Sequence, residues 1–360
     1  MKKALSLFLA LIMVLSVATV LAGCNKDTAE TTYEIALITD VGTIDDKSFN
    51  QGSWEGIVQY ANESGKTYKY YQPKDATIDT LLTNIELAID NGAKIVVCPG
   101  FNFEIALYRA QTKYPDTTFI FIDGEPHDEE YNYETKSNLL PIMYSEQEAG
   151  FLAGYACVKD GYKKFGFMGG MSVPAVVRFG YGYVQGIDYA AKEMNLDDVE
   201  VKYTYTGSFD ATPEAKATAA GWYQSGTEII FGCGGQLGNS VFAAAEEANK
   251  KSIGVDVDQS SESDTVITSA TKNLKKSVYD ALKSYYDGSF VGGKTLRLDT
   301  KSDGVGITMD NARFNSFTQE EYDAIYAKVK SGEITVLSDE AAKSVDKLEN
   351  LEKVKVTVIG

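Results

Sequence analysis

The chain predicts an α/β fold of two lobes, each a doubly wound parallel sheet covered by helices, with a ligand cleft between them. Three observations support this. Apolar runs of strand length alternate with amphipathic helical stretches nearly throughout, the pattern of parallel sheets covered on both faces. Roughly 330 of the 360 residues follow the N-terminal segment, more than one hydrophobic core ordinarily supports. The first apolar run also opens into a polar loop rich in Asp. In open α/β sheets, ligands sit in such loops, outside the carboxyl ends of the strands.

Residues 1–23 read as a secretory signal. Lys2 and Lys3 precede an uncharged apolar run from Ala4 to Val20, and Leu21-Ala22-Gly23 stands directly before Cys24. That is a lipobox: such a signal is cleaved before the cysteine, whose thiol is diacylated, and two acyl chains suffice for stable anchoring. The run is also marginally long enough for a transmembrane helix, an option the lipobox outweighs. Residues 24–32 form a short polar tether. The mature chain is therefore expected at the cell membrane, lipid-anchored on its extracytoplasmic face.

Strands are predicted over 35–38, 95–98, 119–122, 164–168, 199–205, 228–231, 252–257 and 265–269. Between them, helices are predicted over 48–62, 77–91, 103–113, 145–159, 177–194, 213–224, 239–249 and 274–287. In the first helix Trp54, Ile57, Val58 and Ala61 share one face at helical spacing. Ser64-Gly65 and Asn91-Gly92 supply helix stops. A polar insertion at 125–136 precedes a cut near Pro141. The first lobe is expected over 33–141 with about 265–292, and the second over 142–264 with about 293–360. In this division the strand at 265–269 and its helix return to the first lobe, while strands at 294–299 and 304–309 join the second. The charged stretch 338–351 reads as helical, without an assigned place.

Composition narrows the function. The formal net charge is −17, and signal cleavage removes two lysines and no acid, leaving −19. This argues against nucleic acid or an anionic lipid surface as partner, since both select for Lys and Arg. Cys98, Cys157 and Cys233 remain after lipidation, scattered among apolar or Gly-rich neighbours, and are expected as buried small hydrophobes. His127 is the only histidine and no Cys-x-x-Cys occurs, so zinc sites and His-based acid–base catalysis lack their usual materials.

The most informative stretch is 35–56, where the first strand runs into a loop holding Asp40, Asp45 and Asp46 and then into a helix at Ser48, Phe49 and Asn50. An exposed Phe at a helix start, beside carboxylates and an amide, suits the holding of a polar ring. Asp45 could equally cap the helix. Asp123 and Asp256 each end a strand and leave a carboxylate at its carboxyl end. Asn50 and Asn102 each carry a donor and an acceptor able to meet a polar ligand, and either could instead cap its helix. Gly232-Cys233-Gly234-Gly235 fits neither G-x-G-x-x-G nor G-x-x-x-x-G-K-[ST], and reads as close backbone approach to a ligand.

Taken in order behind the lipobox, DVGTIDDKSFNQGSWEG at 40–56, CPGFNFE at 98–104, FGYGYVQG at 179–186, GVDVDQ at 254–259 and TSATKN at 268–273 resemble the basic membrane protein family. That family comprises substrate-binding lipoproteins of ABC transporters, and the similarity is to its purine nucleoside receptor branch over essentially the whole mature chain. The family name says basic, whereas this member is acidic. The resemblance implies a type I periplasmic-binding-protein-like fold and a purine nucleoside ligand. It also implies ABC permease subunits as partners, a monomer, and no cofactor. It implies that Phe49 and Phe209, one per lobe, sandwich the purine. Asp40, Asp123 and Asp256 would divide base and ribose between them, and Lys272 would be a cleft lysine. Gly235 and the two asparagines complete the expected site.

A binding protein is thus the expected class. A monosaccharide receptor of the same fold is the runner-up. A nucleoside hydrolase would want a calcium-holding Asp cluster and a phosphorylase a basic phosphate pocket; neither stands out. A transcriptional regulator of this fold would carry DNA-binding helices where the signal stands.

Overall fold

The computed structural model describes residues 32–40 and 42–359. The signal segment, Cys24 and nearly all of the tether lie outside the described residues.

Among the described residues, thirteen strands form two sheets. The first half supplies β1 (Ile35–Ile38), β2 (Tyr68–Tyr71), β3 (Ile95–Pro99), β4 (Thr118–Ile122) and β5 (Leu139–Tyr144). Between them run α1 (Phe49–Ser64), α2 (Ile78–Asp90) and α3 (Glu104–Lys113). The second half opens with α4 (Glu146–Lys159), β6 (Lys164–Gly169), α5 (Pro174–Glu193), β7 (Val199–Tyr205) and α6 (Pro213–Gln224). It continues with β8 (Ile229–Cys233), α7 (Leu237–Ala248), β9 (Lys251–Asp256), β10 (Val266–Lys272) and α8 (Leu274–Tyr286). The last elements are β11 (Leu296–Leu298), β12 (Val305–Ile307), α9 (Gln319–Ser331) and β13 (Val354–Val358).

The strand orders are β11-β5-β4-β3-β1-β2 and β12-β10-β9-β8-β6-β7-β13, and every pairing is parallel except β10 with β12. Apart from the late edge strand β13, which adds beside β7, each sheet reverses its direction of growth once, between β1 and β3 and between β6 and β8. Such switch points open a crevice at the carboxyl ends of the strands. The core strands are buried on both faces, as β3 and β4 illustrate throughout their lengths. Thr77 and Thr212 cap α2 and α6 through their hydroxyls.

Two strands lie in the other lobe from the one expected. β10 pairs with β9 from Val266 beside Ser252 to Thr271 beside Asp256, so it stays in the second sheet. The chain returns to the first lobe only after Lys272, through α8, which packs on α1 where Gly52 and Gly56 admit Leu274 and the Lys275 backbone. β11 pairs with β5 instead of joining the second sheet, because Gly292 lets the preceding turn approach Ser137 closely and Gly293 N–H bonds Leu139 C=O at 3.0 Å. β12 does join the second sheet. The stretch 338–351 holds two short 3-10 turns, Asp339–Ala341 and Val345–Lys347, not the expected helix. The chain therefore passes between the lobes three times: at Ser145, at Asn273 and between β11 and β12. These segments bond to one another, Ser145 N–H to Leu298 C=O and Asn273 N–H to Gly304 C=O, each at 2.9 Å.

Candidate functional site

The two switch points face one cavity of about 240 Å³, against the ~10–15 Å³ that a single water requires. Asp40, Phe49, Asn50, Phe101 and Asp123 line it from the first lobe; Phe179, Phe209, Gly235, Asp256 and Lys272 line it from the second.

The loop after β1 is organised by its carboxylates. Asp46, not Asp45, caps α1: Oδ1 accepts from the N–H of Ser48 at 2.9 Å and of Gln51 at 3.1 Å, and Oδ2 from the N–H of Asn50 at 2.9 Å. Asp45 is exposed. Asn50 Nδ2 donates to Asp40 Oδ1 at 3.0 Å and to Asp46 Oδ2 at 2.9 Å. Its donors are thereby used up, and its Oδ1 is left buried without a partner. Asp40 Oδ1 also accepts from the Gly42 N–H at 2.8 Å. Burial pushes both carboxyls up from their ordinary range, against the pull of these hydrogen bonds.

Phe49 is held half-buried at the start of α1, with the Lys272 ammonium 4.6 Å from its ring centroid. Phe209 rests on glycine turns of its own lobe: a Cβ at Gly170 would fall 2.3 Å from its ring, and one at Gly234 2.6 Å. Gly234 and Gly235 both have positive φ, so the turn after β8 needs glycine for its backbone as well as for the ring.

Asp123 and Asp256, directly after β4 and at the end of β9, have φ of 61° and 67°. Left-handed backbone at a residue other than glycine carries strain, and such strain gathers at ligand sites. Lys272, at the end of β10, is buried and forms an ion pair with Asp123. Its Nζ is also 3.3 Å from Asp256 and 3.7 Å from Glu146. Burial alone would lower the lysine pKa, but Asp123, Asp256 and Glu146 together push it well up, so the ammonium stays charged. Burial pushes Asp123 up to about 7, opposed by Lys272 and reinforced by Glu146. Its Oδ1 is buried and unpartnered. Ser48 Oγ donates to Asp256 Oδ2 at 2.5 Å and Gln259 Nε2 to the Lys47 carbonyl at 2.8 Å. With Lys272 to Asp123, these bonds join the two lobes directly at the cleft.

The cavity thus combines apolar ring faces from both lobes, one buried ammonium, and three lining residues, Thr43, Asn50 and Asp123, that each carry a buried oxygen without a partner. Eight of the nine residues expected from the sequence line it; Asn102 does not, and its neighbour Phe101 does. Sequence reasoning missed Phe101, Phe179 and, behind the lining, Glu146 and Arg178. The aromatic pair flanking Asn102 in Phe-Asn-Phe was a signal for Phe101. Glu146 and Arg178 sit in helices that read as ordinary amphipathic stretches. His127 stands apart from the cavity, its Nε2 3.2 Å from Glu104. Cys98, Cys157 and Cys233 are buried free thiols, and Cys233 touches the cavity.

A family profile described as Bmp, ABC transporter substrate-binding protein PnrA-like, matches residues 34–340. The chain belongs to this family. Among its relatives is the ABC transporter nucleoside-binding protein BmpA of Lactococcus lactis, 32% identical over 89% of this chain and 95% of that protein. Basic membrane protein A1 of Borrelia garinii is 30% identical, covering 84% of this chain and 88% of its own length. A solute-binding protein of an Aeropyrum pernix ABC transporter superposes with a TM-score of 0.74 at 24% identity, over 87% of this chain and 95% of that one. A counterpart from Conexibacter woesei gives 0.68 at 22% identity, over 85% and 99%. These two likenesses concern the fold, which is that of type I solute-binding proteins. As an ABC-transporter substrate-binding protein, the chain works with permease subunits and a bound ligand.

Proposed function

We propose that this substrate-binding protein is a lipid-anchored receptor, held outside the cell membrane by Cys24, that encloses a purine nucleoside and presents it to its permease as a monomer. The observation that carries the proposal is the pairing of Phe49 and Phe209, from opposite lobes, across a cavity with unpartnered acceptors at its polar walls. A base stacked on an aromatic side chain gains roughly 1–3 kcal/mol whatever its identity. Ribose supplies hydroxyl donors, and an ionised carboxylate such as Asp123 accepts them in charge-assisted bonds. The surplus of carboxylates around Lys272 disfavours a phosphate, which selects the nucleoside over the nucleotide. The ligand is gripped and released with no covalent step. The Lactococcus lactis relative is named a nucleoside-binding protein, in agreement with this reading.

Isothermal titration with adenosine, guanosine, inosine, cytidine, ribose and galactose tests it. Micromolar or tighter binding of purine nucleosides is expected. Heat with a hexose alone would make this a sugar receptor, and turnover of any nucleoside would make it an enzyme.

A further inference from the structure

We infer that Glu146 and Arg178 are positioning residues of the cleft that hold the Lys272 ammonium in place, and that Asp339 ties the C-terminal segment into the same arrangement. The identity of the ligand affected rests on the nucleoside reading; the positioning itself does not.

Neither residue lines the cavity, yet Glu146 is fully buried and Arg178 is 6% exposed. Buried charges persist when paired. Arg178 Nε donates to Glu146 Oε2 at 2.5 Å, while Glu146 Oε1 lies 3.7 Å from Lys272 Nζ and has no hydrogen-bond partner of its own. Lys272 is therefore drawn backward by Glu146 and forward by Asp123 and Asp256. Arg178 decides how much of the Glu146 charge the lysine feels.

The helices carrying the pair cannot drift. α4 and α5 meet through glycines: a Cβ at Gly150 would fall 2.1 Å from the Phe179 carbonyl oxygen, and one at Gly182 would fall 1.9 Å from that of Gln147. Such close contact fixes Glu146 relative to Arg178, so the carboxylate cannot relax toward the lysine.

Arg178 also reaches outward, with Nη1 3.6 Å from Asp339. The segment bearing Asp339 is strapped along α5. Tyr181 Oη donates to the Ala342 carbonyl at 3.0 Å, and Gln185 bonds the Leu337 N–H and C=O, both at 2.9 Å. One helix thus presents Phe179 to the ligand cavity and the C-terminal strap to its other side.

The charged groups facing Asp123 are Lys272 from β10, Asp256 from β9, Glu146 from α4 and Arg178 from α5. Carbon-13 NMR of the Asp123 carboxyl in ligand-free protein reads their balance. Asp339→Asn, at a site about a quarter exposed, should move the titration midpoint down, and Arg178→Gln should move it up. Arg178→Lys should lie between wild type and Arg178→Gln. Guanosine affinity of Arg178→Gln should fall at neutral pH, approaching about tenfold per unit of midpoint shift once the midpoint stands well above the working pH, recover as pH rises, and return with Arg178→Lys. If Arg178→Gln does not fold, Asp339→Asn carries the test. An unmoved Asp123 midpoint in Asp339→Asn overturns the inference, as does loss of affinity in Arg178→Gln that no pH restores. Wild-type protein that ignores guanosine would sink the nucleoside reading alone, since the NMR titration needs no ligand.

Discussion

Replacing Lys272 by Met should destabilise the protein by about 3–5 kcal/mol at neutral pH, the loss typical of removing one partner from a buried charge cluster. Methionine has nearly the volume of lysine, so packing changes little and charge dominates. The ammonium contacts Asp123 and lies 3.3 Å from Asp256 and 3.7 Å from Glu146. At an effective dielectric constant near 20, each of these last two separations corresponds to roughly 4–5 kcal/mol of attraction. Desolvation of four buried charges cancels much of that gross figure in the wild type. In the variant three carboxylates remain, with Arg178 as their sole buried cation. Urea unfolding followed by circular dichroism measures the loss. The sign with pH is fixed: a carboxyl whose folded pKa is raised weakens the fold above that pKa, so acidification should shrink the deficit. An unchanged midpoint, or a deficit that does not shrink in acid, would refute the charge assignment.

Four further outcomes are expected. Phe49→Ala should weaken nucleoside binding by about 1–3 kcal/mol in titration calorimetry, and unchanged affinity would remove Phe49 from the site. Burial pushes the Asp123 carboxyl up to about 7, and a hydroxyl donated to its carboxylate lowers that value. Nucleoside affinity should therefore rise with pH through this range and then level off, with proton release on binding; a flat profile contradicts the role of Asp123. Gly182→Ala should cost about 1–3 kcal/mol or more by overpacking, since its Cβ would fall 1.9 Å from the Gln147 oxygen; wild-type stability in urea would contradict the close helix contact. Cys24→Ala should release the protein from the membrane fraction into the medium or the soluble envelope fraction, as fractionation of cells expressing both forms would show.

Much of the fold was legible because parallel strands buried on both faces announce themselves as apolar runs, as Ile95–Pro99 and Thr118–Ile122 do. Tyr68–Tyr71 was not: its run Tyr-Lys-Tyr-Tyr forms an edge strand, half in water, and carries little apolar signal. The placement of β10 and β11 was hidden for another reason. A strand's sheet is chosen by its neighbours, and nothing within 266–272 or 296–298 states which neighbour wins. The error has a functional side, because the true crossing after β10 sets Lys272 at the point where the chain changes lobes. At the site, strand-end aspartates and the aromatic at a helix start were readable from their positions alone. Asn102 pointed one residue off, since a 3-10 turn over Phe101–Phe103 turns the phenylalanine toward the cavity. Glu146 and Arg178 were invisible because a buried ion pair and an exposed helical charge look alike in sequence. The helix glycines Gly150, Gly154, Gly182 and Gly186 were the available hint that these helices touch and that charges between them are buried.

The central claim is that a purine ring lies between Phe49 and Phe209, and a crystal structure grown with guanosine tests it most directly. The account predicts the base stacked between those two rings, with a ligand donor on Asp123 Oδ1 and the Lys272 ammonium still between its carboxylates. A guanosine bound elsewhere, or a cleft that closes around a different molecule with Phe49 and Phe209 turned away, would contradict it.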